Sequence, residues 1–150
     1  ETKTYVSWDL MHNFLVDAFK GYGVPAEDAE IVADVILESD RRGIESHGCN
    51  RFKPIYIDRI VAGIQNSLTK FEIIRETPTT AVIDGHNGMG QVIGYKSMKL
   101  AIEKAKKYCV QAIEQDYIPI APHVYFTQFL DDNNEEERKK VSTSMAQEIA

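Results

Sequence analysis

Residues 101–123 read AIEKAKKYCVQAIEQDYIPIAPH, and the parsing of this stretch decides the fold. Met98, Ala101, Ile102, Ala105, Cys109, Ala112 and Ile113 recur at helical spacing, and nothing in that period marks a break. One long helix is therefore expected from Gln91 to about Gln115. The following YIPIAPHVYF reads as a short strand with its exit loop, and Pro119 and Pro122 confine it to an edge or a bulge. A long helix that hands over to a strand indicates an α/β chain.

Upstream, SWDLMHNFLVDAFKGYG predicts a helix with Ser7 as its N-cap. Leu10, Phe14, Leu15, Ala18 and Phe19 share one face, and Gly21 and Gly23 end it. PAEDAEIVADVILESDRRG predicts a second helix with Pro25 in its first turn, acids near its positive end and Arg41 and Arg42 at the other. Its buried face should be Ala29, Val32, Ala33, Ile36 and Leu37. A third helix is expected from about Arg51 to Ala62, stopping at Gly63. Residues 71–75 and 80–83 then change to a strand pattern around ETPT, which predicts a hairpin. The expected architecture is an N-terminal helical arm, then a small mixed sheet built from the hairpin and residues 118–121, with the long helix packed on it. DDNNEEERKKVSTSMAQEIA, 131–150, should close the chain as an acid-capped helix.

The 150 residues suit one ordinary domain, and 43% hydrophobic with 27% charged residues permits a buried core. A net charge of -6 argues against nucleic-acid and anionic-membrane partners. Two cysteines in unrelated contexts, Cys49 and Cys109, make neither a disulfide framework nor a metal spacing, so a reducing cytoplasm is expected. There is no run of 18 apolar residues and no signal pattern at the start.

GIESHGCNR is the densest polar cluster. Arg51 can pair bidentately with the carboxylate of a 2-oxo acid, His47 can exchange a proton with its carbonyl oxygen, and Ser46 can orient His47. The same residues also suit a polar loop between helices, with Ser46 capping the third helix. DGHNGMGQ places Asp84, Gly85, Gly88 and Gly90 before a helix N-terminus, where backbone N–H groups can approach a phosphate. It is not the G-x-G-x-x-G fingerprint, and a plain turn is the alternative. His123 lies at the end of the expected strand, where α/β sites gather, although a histidine beside prolines and aromatics also suits simple packing. The acid run 131–137 reads as solvated charge, and no metal is expected.

The three helices, ESHGCNR, TTAVIDGHNGMGQ and AIEKAKKY occur here in one order. Over residues 5–108 this resembles the N-terminal part of the type 2 malate/L-lactate dehydrogenase family. The resemblance implies an NAD- or NADP-dependent, homodimeric oxidoreductase with a fold distinct from the Rossmann dehydrogenases. It implies that Ser46 and His47 are catalytic and that Arg51 binds the substrate carboxylate. Cofactor contacts are expected at Asp84, Gly85, Gly88 and Gly90.

After Tyr108 the family pattern stops, since a glycine and a strand ending in an Asn-x-x-His-type motif are expected and CVQAIEQDY stands there. Residues 102–150 are instead similar to nucleoside 2-deoxyribosyltransferase-like proteins, small flavodoxin-like domains, with YCVQAIEQDY leading into IPIAPH. The chain is therefore read as a chimera of a dehydrogenase fragment (1–108) and a deoxyribosyltransferase-like fragment (109–150) joined through a shared helix, engineered in the first reading and a natural fusion or composite sequence in the alternative. It is expected to be inactive as it stands and to bind neither NAD nor NADP. Self-association into a dimer or larger oligomer is expected, since faces that lack neighbours promote it. The alternatives are a nucleotide-binding domain and an active oxidoreductase completed across a homodimer.

Overall fold

A computed structural model describes residues 5–121. His123, the acid run and the expected closing helix lie outside the described residues. The chain divides into two compact units, Glu1–Lys99 and Leu100–Ala150.

In the first unit, α1 (Trp8–Gly21) begins at Ser7, whose Oγ accepts from the Leu10 N–H at 3.3 Å. It ends where Gly23 takes a φ of +85°, a conformation that favours glycine. Helix α2 (Ala26–Arg41) follows with Glu27 and Asp28 in its first turn. Ala29, Val32, Ala33, Ile36 and Leu37 are all buried, as the 3.6-residue period requires. They pack against Leu15, Val16 and Phe19 of α1, with Ile57, Met89 and Val92 completing the core. Fully burying a side chain such as Phe19 or Ile36 contributes about 1.5–3 kcal/mol each. Asp28, 6% exposed, has Lys96 Nζ 3.6 Å from its carboxylate.

The face of α1 differs from the expectation. Leu10 and Phe14 are 62% and 55% exposed. Successive residues turn roughly 100° round a helix, so these two lie more than about 90° from the buried stripe of Leu15, Val16 and Phe19, toward the opposite side of α1. Phe14 is still held edge-on to Phe52, with ring centroids 5.8 Å apart.

The third helix is not one α-helix. Cys49–Arg51 is a 3₁₀ turn, Phe52–Ile57 is π-helical, and only Asp58–Val61 (α3) is α-helical before Gly63 turns at φ +69°. Pro54 explains the change. It has no N–H to donate, and its ring crowds the carbonyl four residues back, so the regular ladder cannot run through it. The widened stretch places Phe52 and Tyr56 edge-on to Phe19, at 5.1 and 6.0 Å.

Strands β1 (Glu72–Glu76) and β2 (Ala81–Asp84) form the expected hairpin, antiparallel and with an irregular register between Ile73 and Arg75. Thr77 and Thr80 close it: Thr80 N–H donates to Thr77 Oγ1 at 2.9 Å and Thr77 N–H donates to Thr80 O at 2.8 Å. The α/β class holds, but the sheet of the described residues is this two-stranded antiparallel hairpin rather than a mixed sheet. Residues 117–121 form no strand. Pro119 has no ladder donor to offer there. Helix α4 (Gly90–Glu114) has nearly the expected bounds and runs from the first unit into the second. Within the first unit it packs Ile93 against Gly85 at the end of β2. In the second, its apolar spacing is kept, yet Ile102 and Ile113 are 40% and 61% exposed.

Candidate active site

The ESHGCNR loop leaves α2 through Gly43, at φ +73°, and winds through two successive 3₁₀ turns, Glu45–His47 and Cys49–Arg51. These turns bring the three predicted side chains together. Ser46 Oγ lies 2.9 Å from His47 Nδ1, and Arg51 Nε donates to the Ser46 carbonyl oxygen at 2.6 Å. All three residues are exposed. With Nδ1 engaged by Ser46, Nε2 is the ring nitrogen of His47 left for a further hydrogen bond. With Nε turned to the loop, Arg51 keeps its two terminal nitrogens as a fork for a carboxylate. Ser46 does not cap the third helix.

Beneath the exposed groups, the loop is fastened to the protein. Cys49 and Phe52 pack against the hydrophobic core. The Asp40 carboxylate, in the last turn of α2, accepts from the Cys49 N–H at 2.8 Å. Gly48 is buried against the same carboxylate, which a Cβ would overlap. Burial first, then the hydrogen bond and charge of Asp40, push the Cys49 thiol up to about 12, so it stays protonated and inert. Asp40 escaped the sequence reading, although a signal was there. An acid near a helix C-terminus faces the negative end of the dipole, which implies a partner elsewhere.

The DGHNGMGQ turn is arranged differently. Asp84 Oδ1 accepts from the His86 N–H at 2.8 Å, so this carboxylate serves the turn's own backbone. His86 and Asn87 adopt left-handed φ values of 48° and 55°. The His86 ring reaches back to Glu72 of β1, Nε2 to Oε2 2.7 Å, and Lys70 Nζ reaches the same oxygen at 2.6 Å. Lys70 first and then His86 hold the Glu72 carboxyl below its usual range. Residues 65–69 brace the turn: Asn66 Nδ2 donates to the His86 carbonyl at 2.7 Å and the Met89 N–H donates to Thr69 Oγ1 at 3.1 Å.

The glycines of this turn have structural causes. A Cβ at Gly85 would run into Ile93, and one at Gly88 would meet Thr69 Cγ2 at 2.9 Å and the Gly85 carbonyl at 3.0 Å. Their bare faces are already filled by protein. Only at Gly90 does the space stand open. Several N–H groups of the turn also have partners within the protein: Gly88 N–H donates to the Gly85 carbonyl at 2.8 Å, beside those of His86 and Met89. A shallow concavity on the outer side of α2, from Asp34 to Arg42 and Ile44, contains none of the predicted residues. Among the described residues no group of three His, Cys, Asp or Glu side chains is placed to hold a metal ion. No described helix is long and apolar enough to cross a membrane.

The comparisons with known proteins agree with the order of motifs. The family profile described as malate/L-lactate dehydrogenase matches residues 6–115. A second profile, a domain of unknown function (DUF7768), matches residues 93–150, so the two overlap on 93–115. That description names no activity, and the likeness to deoxyribosyltransferases gains nothing from it. Malate dehydrogenase of Pyrococcus horikoshii is 52% identical over 98 residues, 65% of this chain and 27% of that protein. L-sulfolactate dehydrogenase of Methanocaldococcus jannaschii is 48% identical over 99 residues, 66% of this chain and 28% of that protein. Among solved structures, malate dehydrogenase from Entamoeba histolytica superposes with a TM-score of 0.69 at 47% identity, covering 71% of this chain and 30% of the other. The chain thus spans between a quarter and a third of the length of these relatives. On its matched residues, it belongs to the malate/L-lactate dehydrogenase family.

Proposed function

We propose that this chain carries the substrate-handling part of an oxidoreductase for 2-hydroxy and 2-oxo acids, and that these 150 residues alone bind such an acid without turning it over. The bonded set Ser46–His47–Arg51 on an exposed loop carries this reading. The Arg51 fork takes the substrate carboxylate. His47 Nε2 gives a proton to the 2-oxo oxygen when the carbonyl is reduced, and takes it from the hydroxyl in the reverse direction. Ser46, on Nδ1, fixes the ring for both.

By the resemblance, the redox partner is NAD or NADP. The N–H groups of His86, Gly88 and Met89 are already given to partners within the protein, which argues against a phosphate site in that turn, so no nicotinamide site is assigned to it. The junction of two fragments is proposed to lie within α4, where the two family profiles overlap and where the compact units divide after Lys99. A dimer or larger oligomer is proposed as well, since Met98, Ile102, Tyr108, Val110 and Ile113 leave α4 with apolar surface in solvent.

Titrating NADPH and then NADH by fluorescence, with and without pyruvate or oxaloacetate, tests the reading. No saturable change is expected from the nicotinamides, while the acids alone should shift the His47 ring signals in NMR spectra. Saturable nicotinamide binding strengthened by the acid would overturn the inactive reading in favour of a site completed across two copies. Unmoved His47 signals at high acid concentration would overturn the substrate role.

A further inference from the structure

Three features on this loop converge on a residue that does not itself face the substrate. The Cys49 N–H donates to Asp40 Oδ2 at 2.8 Å. Gly48 lies so close to the same carboxylate that no side chain fits between them. Arg51 in turn donates its backbone N–H to the Gly48 carbonyl at 2.9 Å, and its Nε to Ser46 O at 2.6 Å. The two 3₁₀ turns that carry His47 and Arg51 therefore meet at Gly48, and Gly48 and Cys49 are seated on Asp40.

We propose that Asp40 is a positioning residue: its carboxylate pins the junction between the two turns to the end of α2 and so sets the spacing of His47 from Arg51. This rests on the substrate role given above to His47 and Arg51. A 3₁₀ turn of three residues has little stability of its own, and two in succession need an external anchor to hold one geometry. Asp40 is well placed to be it. Both of its surroundings, a backbone N–H and a bare glycine Cα, fit a short carboxylate and leave no room for a longer side chain. Its site on a 16-residue helix whose inner face is buried makes the anchor rigid. The same carboxylate also seals the Cys49 thiol, whose reactivity supplies an independent signal that the Asp40 charge has been removed.

The test uses D40A and D40N in a C109S background, so that Cys49 is the reporting thiol. D40A removes the acceptor, whereas D40N keeps an oxygen of the same reach and removes only the charge. Three quantities are read on protein shown folded by circular dichroism: the rate of Cys49 modification by a disulfide reagent at pH 8, the His47 ring nitrogen shifts without ligand, and the affinity for oxaloacetate. Both variants should speed thiol modification, by about tenfold or more. D40A should lose the Ser46-bound ring signature and weaken oxaloacetate binding by more than about tenfold, while D40N restores both to within about threefold.

A D40A protein with a fast thiol but unchanged ring signals would overturn the proposal, because the contact would then be gone without moving the site. If D40A fails to fold, D40N decides: native ring signals with a fast thiol support the anchor, and collapsed ring signals overturn the claim that an acceptor suffices. Failure of the unmutated chain to bind oxaloacetate would sink the substrate role instead. The ring signals would still settle whether Asp40 positions His47.

Discussion

The loop at residues 45–51 and the turn at residues 84–90 look alike as text, each a short polar run with glycine and histidine between two regular elements. In three dimensions they are opposites. The loop hides its glycine and cysteine against Asp40 and shows Ser46, His47 and Arg51 to solvent. The turn directs its polar groups inward: Asp84 to its own backbone, the His86 ring to Glu72, the His86 and Asn87 carbonyls to Asn66. A polar motif is available for chemistry only to the extent that its hydrogen-bonding groups are not already used by the fold, and the two regions differ in how far theirs are used.

Removing Arg51 should have the largest consequence of that difference. Arg51→Ala is expected to weaken binding of oxaloacetate by roughly 1.5–3 kcal/mol, the usual value of a charge-assisted hydrogen bond, with little change in melting temperature. Calorimetric titration beside a thermal melt reads both. An equal loss of binding and stability would erase the distinction drawn between loop and turn. Gly88→Ala should show the converse pattern. Its new methyl would press on Thr69 and the Gly85 carbonyl, so about 1–3 kcal/mol of stability should go, measured by urea denaturation, while oxaloacetate affinity of the folded protein stays put. Weakened affinity there would show that the turn takes part in the site after all.

The two regions were also unequally legible. Helices α1 and α2 could be read from Ser7, Pro25, Gly23 and a strict period, because those signals act within one or two turns. The hairpin was legible for the same reason. Pro54 was plain in the sequence, but its effect depended on how far the widened helix had to turn to bring Phe52 and Tyr56 onto Phe19, a matter of tertiary packing. The polar residues of the loop were visible, whereas Asp40, nine residues from its partner Cys49, was not. Nor did the sequence show that Ile93 and Thr69 occupy the Cβ directions of Gly85 and Gly88. Composition gives the residue types, and only packing says which of them remain free.

A smaller effect belongs to Ser46. Ser46→Ala deletes the hydroxyl on His47 Nδ1 and leaves Arg51 its bond to the residue 46 carbonyl. The expected loss is about 0.5–1.5 kcal/mol of oxaloacetate affinity, since one net hydrogen bond is removed and the ring gains freedom. A fall as large as that of Arg51→Ala would mean that Ser46 touches the acid directly.

The smallest expected effect sharpens the description of the turn. Glu72 has its carboxyl held below the ordinary range, by Lys70 first and His86 second. A carboxyl lowered in the folded state adds stability above its unfolded value, about 4.3, and that contribution is lost as the pH falls through the lower folded value. The wild type should therefore lose stability slightly more steeply than Glu72→Gln below about pH 4.3. Thermal melts in steps from pH 6 downward give the difference between the two proteins, which cancels the other carboxylates. Because Glu72 is open to solvent, salt should shrink the difference further, and Lys70→Met should remove most of it. A difference that survives Lys70→Met unchanged would make the His86 ring, rather than the lysine, the main support of Glu72, and would make the turn's inward bonding stronger than the exposed geometry implies.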